Sequence, residues 1–145
     1  MQQSCKNKKE IYNKIRESNF KLTKLNRAII EILCLKKCLI SKKELITKLK
    51  KRNLKPNRST IYRQLKKLGK MGIIKKFFIL ENDYYEINLD HHHHVICINC
   101  FSIYNFYSGI CKDEIKKIKK LNFKVIDDSF EIYGRCNKCL NQIKK

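Results

Sequence analysis

The stretch Ser59-Thr60-Ile61-Tyr62-Arg63-Gln64-Leu65-Lys66-Lys67-Leu68-Gly69-Lys70, running through Met71-Gly72 into Ile73–Ile79, decides the fold. Ile61, Leu65 and Leu68 recur at i, i+4 and i+7, which lays one apolar stripe along a helix. Thr60, Arg63, Gln64, Lys66, Lys67 and Lys70 cover the remaining surface, and Gly72 ends the helix. Beyond it, Ile73–Ile79 and Tyr84–Asn88 read as two strands across a turn at Glu81-Asn82-Asp83.

Upstream, residues 8–18 form a short Lys/Glu-rich helix with Ile11 and Ile15 on one face. From Arg27 to Leu35, the apolar positions Ile29, Ile30, Ile32, Leu33 and Leu35 predict a buried helix. Ser41 and Glu44 make a capping box that opens a third helix, whose apolar face is Leu45, Ile46 and Leu49. Pro56 and Asn57 close the connection to the helix quoted above. Helices followed by a two-stranded ribbon are the layout of a winged helix-turn-helix, whose second motif helix enters the DNA major groove.

An ordinary amphipathic helix with a solvated lysine face would show the same local pattern, so charge has to decide. The 145-residue chain carries a formal net charge of +21. Residues 1–88 hold 24 Lys+Arg against 7 Asp+Glu, whereas residues 89–145 hold 10 against 6. A Lys-rich genome would decorate both halves alike. The asymmetry instead predicts two domains, 1–88 facing a polyanion and 89–145 carrying other chemistry. No apolar run is long enough to span a membrane, and residues 1–20 lack the apolar centre of a signal peptide. Cytoplasm is the expected compartment, with no membrane partner.

In the second half, Val95–Ile98, Ile103–Phe106, Phe123–Ile126 and Phe130–Tyr133 read as strands. Ile110–Leu121 reads as a helix with Ile110, Ile115, Ile118 and Leu121 inward. The class is α+β: an N-terminal winged helix followed by a small α+β domain. One helix over a small sheet leaves apolar area uncovered, and a twofold partner would cover it, so a homodimer is expected.

Eight cysteines in such a chain point to metal ligands rather than disulfides. Cys97-x-x-Cys100 and Cys136-x-x-Cys139 are separated by 35 residues and supply four soft donors in two tight turns. Two such knuckles complete a tetrahedron, which suits structural Zn2+ and leaves no open position for water. A redox pair or an iron–sulfur cluster are the alternatives. Cys5, Cys34, Cys38 and Cys111 are scattered and read mainly as structural.

All four histidines are consecutive, His91 to His94. On an extended segment His92 and His94 face one way, and His91 and His93 the other. Each pair can seed an imidazole–carboxylate metal site, and Glu86 lies six residues before His92. A polar loop of solvated imidazoles is the bland alternative. A hydrolase using metal-bound water is the rival from another class. It lacks an evident general base, and it explains neither the basic half nor the closed four-cysteine site, so no enzyme is expected.

The chain resembles the ferric uptake regulator family over about residues 20–140. The segments that carry the resemblance are Arg27 leading the buried helix, Ser59-Thr60-Ile61-Tyr62-Arg63, His92-His93-His94-Val95-Ile96-Cys97-Ile98-Asn99-Cys100 and Glu131-Ile132-Tyr133-Gly134-Arg135-Cys136-Asn137-Lys138-Cys139. Its C-terminal half is similar to the peroxide-sensing branch. The resemblance implies a dimeric, metal-dependent transcriptional repressor of metal-homeostasis or oxidative-stress genes, acting on palindromic AT-rich double-stranded DNA. Cys97, Cys100, Cys136 and Cys139 would hold the structural zinc. Glu86, His92 and His94 would hold a second, regulatory divalent metal (Fe2+, Mn2+ or Zn2+), with Asn105 and Cys38 as weaker ligands. His91, His93 and Asp128, with Asp113 and Glu114, would form a further site. Ser59, Thr60, Tyr62, Arg63, Lys66 and Arg27 would contact DNA.

Two departures qualify what is implied. Leu39, beside Cys38, stands where the family usually has a histidine, and Asn105 stands where a peroxide sensor has an aspartate. A constitutive, zinc-stabilised DNA-binding regulator with a degraded regulatory site is therefore the alternative reading.

Overall fold

The computed structural model describes residues 3–18, 20–36, 38–88, 91–107, 112–126 and 129–143. The chain divides into two compact units, Met1–Leu89 and Asp90–Lys145.

The first unit runs α1 (Gln3–Glu17), α2 (Lys24–Lys36), β1 (Ile40–Ser41), α3 (Lys42–Lys51), α4 (Arg58–Lys70), β2 (Ile74–Ile79) and β3 (Asn82–Ile87). Ser41 caps α3, its Oγ accepting from the Glu44 N–H at 3.1 Å, as the capping box predicts. Asn57 caps α4 in the same way, accepting from the Thr60 N–H at 2.8 Å. Ile61, Leu65 and Leu68 are buried, as their spacing requires. They join Ile11 and Ile15 of α1, Ile29, Ile30 and Leu33 of α2, and Leu45 and Leu49 of α3 in one core. Leu35 departs from expectation: it lies 67% exposed, because it falls in the last turn of α2, off the buried face.

The wing is a three-stranded antiparallel sheet in the order β1-β3-β2. β1 is two residues long, and its pairing with β3 sets Ile40 beside Tyr85. The β2–β3 turn is Leu80-Glu81, not Glu81-Asn82-Asp83. Both of its residues take positive φ (46° and 64°), and Asn82 and Asp83 already belong to β3. Two left-handed residues match the right-handed twist of a hairpin.

The second unit runs β4 (His93–Cys97), β5 (Ile103–Phe106), α5 (Lys112–Lys120), β6 (Glu131–Gly134) and α6 (Asn137–Ile143). Its sheet order is β5-β4-β6, with β4 antiparallel to β5 and parallel to β6. The expected strand at Phe123–Ile126 does not form. Its alternation meets no partner, and Phe123 and Ile126 are 64% and 94% exposed. Helix α6, which brings the last cysteine into place, was not expected from periodicity. Ile115 and Ile118 are half-buried, Leu121 is exposed, and Ile110 lies outside the described residues.

Candidate functional sites

The parallel register of β4 and β6 explains how cysteines so far apart in sequence meet. Cys97 ends β4 opposite Gly134, which ends β6. Both strands leave the sheet at the same end, and each continues into a tight turn. After Cys97, the Phe101 N–H returns to the Cys97 carbonyl at 2.9 Å, with Phe101 at φ 58°. After Gly134, the Leu140 N–H bonds the Cys136 carbonyl at 3.0 Å and places Cys139 in the first turn of α6.

The four sulfurs of Cys97, Cys100, Cys136 and Cys139 lie within 4.8 Å of one another. Cys100 Sγ and Cys136 Sγ are 3.6 Å apart. Four thiolates around one Zn2+ would stand about 3.8 Å apart at Zn–S distances of about 2.3 Å, so the donor set fits that ion. Cys97 and Cys139 are buried, whereas Cys100 is exposed.

Local electrostatics already favours thiolates on one side of the cluster. Backbone N–H groups of Cys100 and Cys136 lower the Cys97 thiol to about 6; the Cys136 N–H donates to its sulfur at 3.3 Å. The Ser102 hydroxyl and backbone lower Cys100, with Ser102 Oγ 3.1 Å from the sulfur. Cys139 is pushed up to about 12 by burial and by the three neighbouring thiols. A divalent cation is what such a crowd of thiols needs in order to ionise together.

The histidines alternate as an extended segment requires. The His92 and His94 rings sit 4.9 Å apart, and those of His91 and His93 sit 4.8 Å apart. His92 and His94 offer ring nitrogens within 4.8 Å of each other. His94 is flanked in register by Asn105 of β5 and Glu131 of β6, which share its face. Asn105 therefore falls beside His94. Glu131 is a neighbour that sequence reasoning missed, because only the parallel pairing reveals it.

On the other face, His93 is fully buried and stacks on Phe130 at 3.6 Å between centroids. Its Nδ1 accepts the Phe130 N–H at 3.3 Å. Asp128 lies outside the described residues, as do the side chains of Asp113 and Glu114 in α5.

In the first unit, Glu86 is buried near the end of β3. Continuing the β1–β3 register by one residue sets Leu39 beside it, and Leu39 is buried and apolar. The half-buried Cys38 thiol is raised by burial and also feels the Glu86 charge. The unit thus brings Cys38 near the carboxylate, while no imidazole occupies the neighbouring position.

The outer face of α4 carries Tyr62, Arg63 and Lys66, all exposed, with Thr60 half-buried. Tyr62 is 50% exposed, with Lys42 Nζ 5.9 Å from its ring centroid. Ser59 turns its hydroxyl to the cap, donating to Asn57 Oδ1 at 2.9 Å. Arg27 is exposed in the first turn of α2.

A winged helix joined to a unit closed by a four-cysteine metal cluster defines a metal-dependent class of transcription regulator. The chain belongs to the ferric uptake regulator family, whose model matches residues 17–133. It is 35% identical over 104 residues to the ferric uptake regulation protein of Synechococcus elongatus, covering 69% of this chain and 71% of that one. Among solved structures, it is similar to the iron-bound ferric uptake regulator of Francisella tularensis (29% identity, TM-score 0.68, 84% of this chain and 96% of that one). It is also similar to the Vibrio cholerae regulator, with 25% identity, TM-score 0.72, and 84% and 96% of the two chains covered. The chain accordingly carries donors for a structural zinc and, at His92 and His94, for a second divalent metal. Among the described residues, no helix is long and apolar enough to cross a membrane.

Proposed function

We propose that this protein is a dimeric, cytoplasmic, metal-dependent repressor that binds palindromic AT-rich DNA upstream of metal-homeostasis or oxidative-stress genes, and that it performs no catalysis. The observation that carries this reading is the outer face of α4. That face presents Tyr62, Arg63 and Lys66 to solvent from a helix locked at its start by Asn57 and buried on its inner side. Such a helix offers base-edge and phosphate contacts at no cost to the core. Ser59, Thr60 and Arg27 add contacts at its start and from α2.

The Cys97/Cys100/Cys136/Cys139 cluster holds zinc as a structural staple of the second domain, residues 89–145, which also carries the dimer face. His92 and His94, with Glu86 as carboxylate, hold the regulatory Fe2+, Mn2+ or Zn2+; Asn105 and Cys38 complete its surroundings. A thiolate from Cys38 would tilt that site toward zinc. His91 and His93, with Asp128, Asp113 and Glu114, supply donors for a further metal. Metal and DNA then favour each other by one coupling energy.

The test is binding of a palindromic AT-rich duplex, selected in vitro, by protein that retains its four-cysteine zinc, with and without Mn2+, Fe2+ or added Zn2+. Tighter binding with metal is expected, and His92→Ala should abolish the difference. A second reading, a constitutive zinc-stabilised regulator, is favoured by the buried Leu39 beside Glu86. Equal affinity in both states would select it.

A further inference from the structure

Beneath the start of α2, the first unit holds a cleft of about 660 Å3 that shares only Arg27 with the sites described above. Its apolar wall is built from Tyr12 and Ile15 of α1 and from Phe20 and Leu22 of the connection to α2. Arg16, Lys21 and Arg27 also line it, and no acid is among its described lining residues. The ion pairs of this unit lie at other places: Lys36 and Lys48 with Glu44, Arg52 with Glu31, and Lys76 with Asp83. Among the described residues, no carboxylate lies within 4.0 Å of Arg16, Lys21 or Arg27.

The wall is also fixed in place. The buried Asn26 donates from Nδ2 to the Lys21 carbonyl at 3.3 Å, and its N–H bonds Thr23 Oγ1 at 3.2 Å, which sets the connection carrying Lys21 and Leu22. Tyr12 is a neutral phenol near pH 7, and burial first and Glu31 second raise its hydroxyl further. It therefore adds a neutral donor to the three cations.

We propose that this cleft binds a small organic anion with an apolar body, a carboxylate on a hydrocarbon or aromatic frame, seated on Tyr12, Phe20 and Leu22 and held by Arg16, Lys21 and Arg27. Its volume lies within the range of small-molecule sites, roughly 300–1,000 Å3. Three unmatched cations lower the energy of an anion there, and the guanidinium groups of Arg16 and Arg27 suit a carboxylate in two-point contact. An inorganic oxyanion or a DNA phosphate would satisfy the charge but leave the aromatic and aliphatic wall in water.

The sequence contains no tryptophan, so Tyr12→Trp creates a single reporter in the cleft of the full, zinc-loaded chain. Titration with the aromatic sulfonate 8-anilinonaphthalene-1-sulfonate should give saturable energy transfer from residue 12. In the same background, Arg16→Glu should weaken binding about tenfold or more, and Arg16→Lys, which keeps the charge but loses the two-point contact, by a smaller factor. Octanoate should displace the probe, and inorganic phosphate at equal ionic strength should not. On the unsubstituted chain, octanoate should shift the amide resonances of residues 12–27 ahead of all others. Absence of transfer together with unshifted amides would overturn the proposal. So would an unchanged affinity in Arg16→Glu, or displacement by phosphate as effective as by octanoate.

Discussion

In the first unit, seventeen buried apolar side chains from three connected helices, α4 and the wing close on one another. In the second, the buried described side chains are Ile96, Cys97, Cys139 and two histidines. Meanwhile Phe101, Tyr104, Phe106, Ile132, Tyr133 and Leu140 are each at least 41% exposed. Burial of hydrocarbon is thus enough to hold the first unit together, and it is not enough for the second. A domain of that size needs a metal or a partner to make up the difference. The first unit is held by its own core, whereas the fold of the second is conditional on what it binds.

The sharpest way to break this contrast is to take away the zinc. Chelation, or Cys139→Ser, should remove about 10 kcal/mol or more of folding energy from the second unit. Hydrogen exchange would then show residues 93–143 losing protection while residues 24–87 keep theirs. Equal protection of both would end the argument.

Acid should reach the same state. The depressed Cys97 thiol contributes stability that is complete above the ordinary thiol value of 9.0 and lost as pH falls through about 6. Protons also compete with the metal for all four thiolates, so a chromogenic chelator should find progressively more zinc released as pH falls.

Next in size is the reverse experiment. Leu49→Ala, in the fully buried core of the first unit, should cost about 3 kcal/mol there, read as a lower melting temperature with zinc stoichiometry unchanged.

Ile132→Asp, on a strand 41% exposed at that position, should convert dimer to monomer in sedimentation at micromolar concentration. A dimer that survives it would locate the interface elsewhere. The smallest effect is expected at the Arg52–Glu31 pair, 2.8 Å long and more than a third exposed. Glu31→Gln should change stability by less than about 1 kcal/mol in a thermal melt.

What could be read in advance follows the same boundary. α4, its neighbours and the capping box at Ser41 announce themselves, because an apolar side repeating every third or fourth residue is a property of the chain alone. The cysteine cluster is legible too, since a C-x-x-C turn needs no distant information to aim its sulfurs. The strand expected at Phe123–Ile126 fails because alternation names a face but not a partner. β1 is too short to have a period, and Leu35 extends an apolar run past the buried face of its helix. Glu131 beside His94 is invisible until the β4–β6 pairing is known. The histidine alternation was readable, whereas the apolar Leu39 beside Glu86 gained its meaning only from the β1–β3 register.

That parallel pairing also imposes an order of events on the ribosome. A hairpin such as β4–β5 can close soon after it is made, but β4 must wait through α5 before β6 exists to lie beside it. Until then Cys97 and Cys100 are half a chelate, free to exchange their ion with any competing thiol. The first unit meanwhile has all of its core and folds first. The four-cysteine site therefore closes last: a chain interrupted before β6 carries the complete first unit but only Cys97 and Cys100 of the four zinc donors.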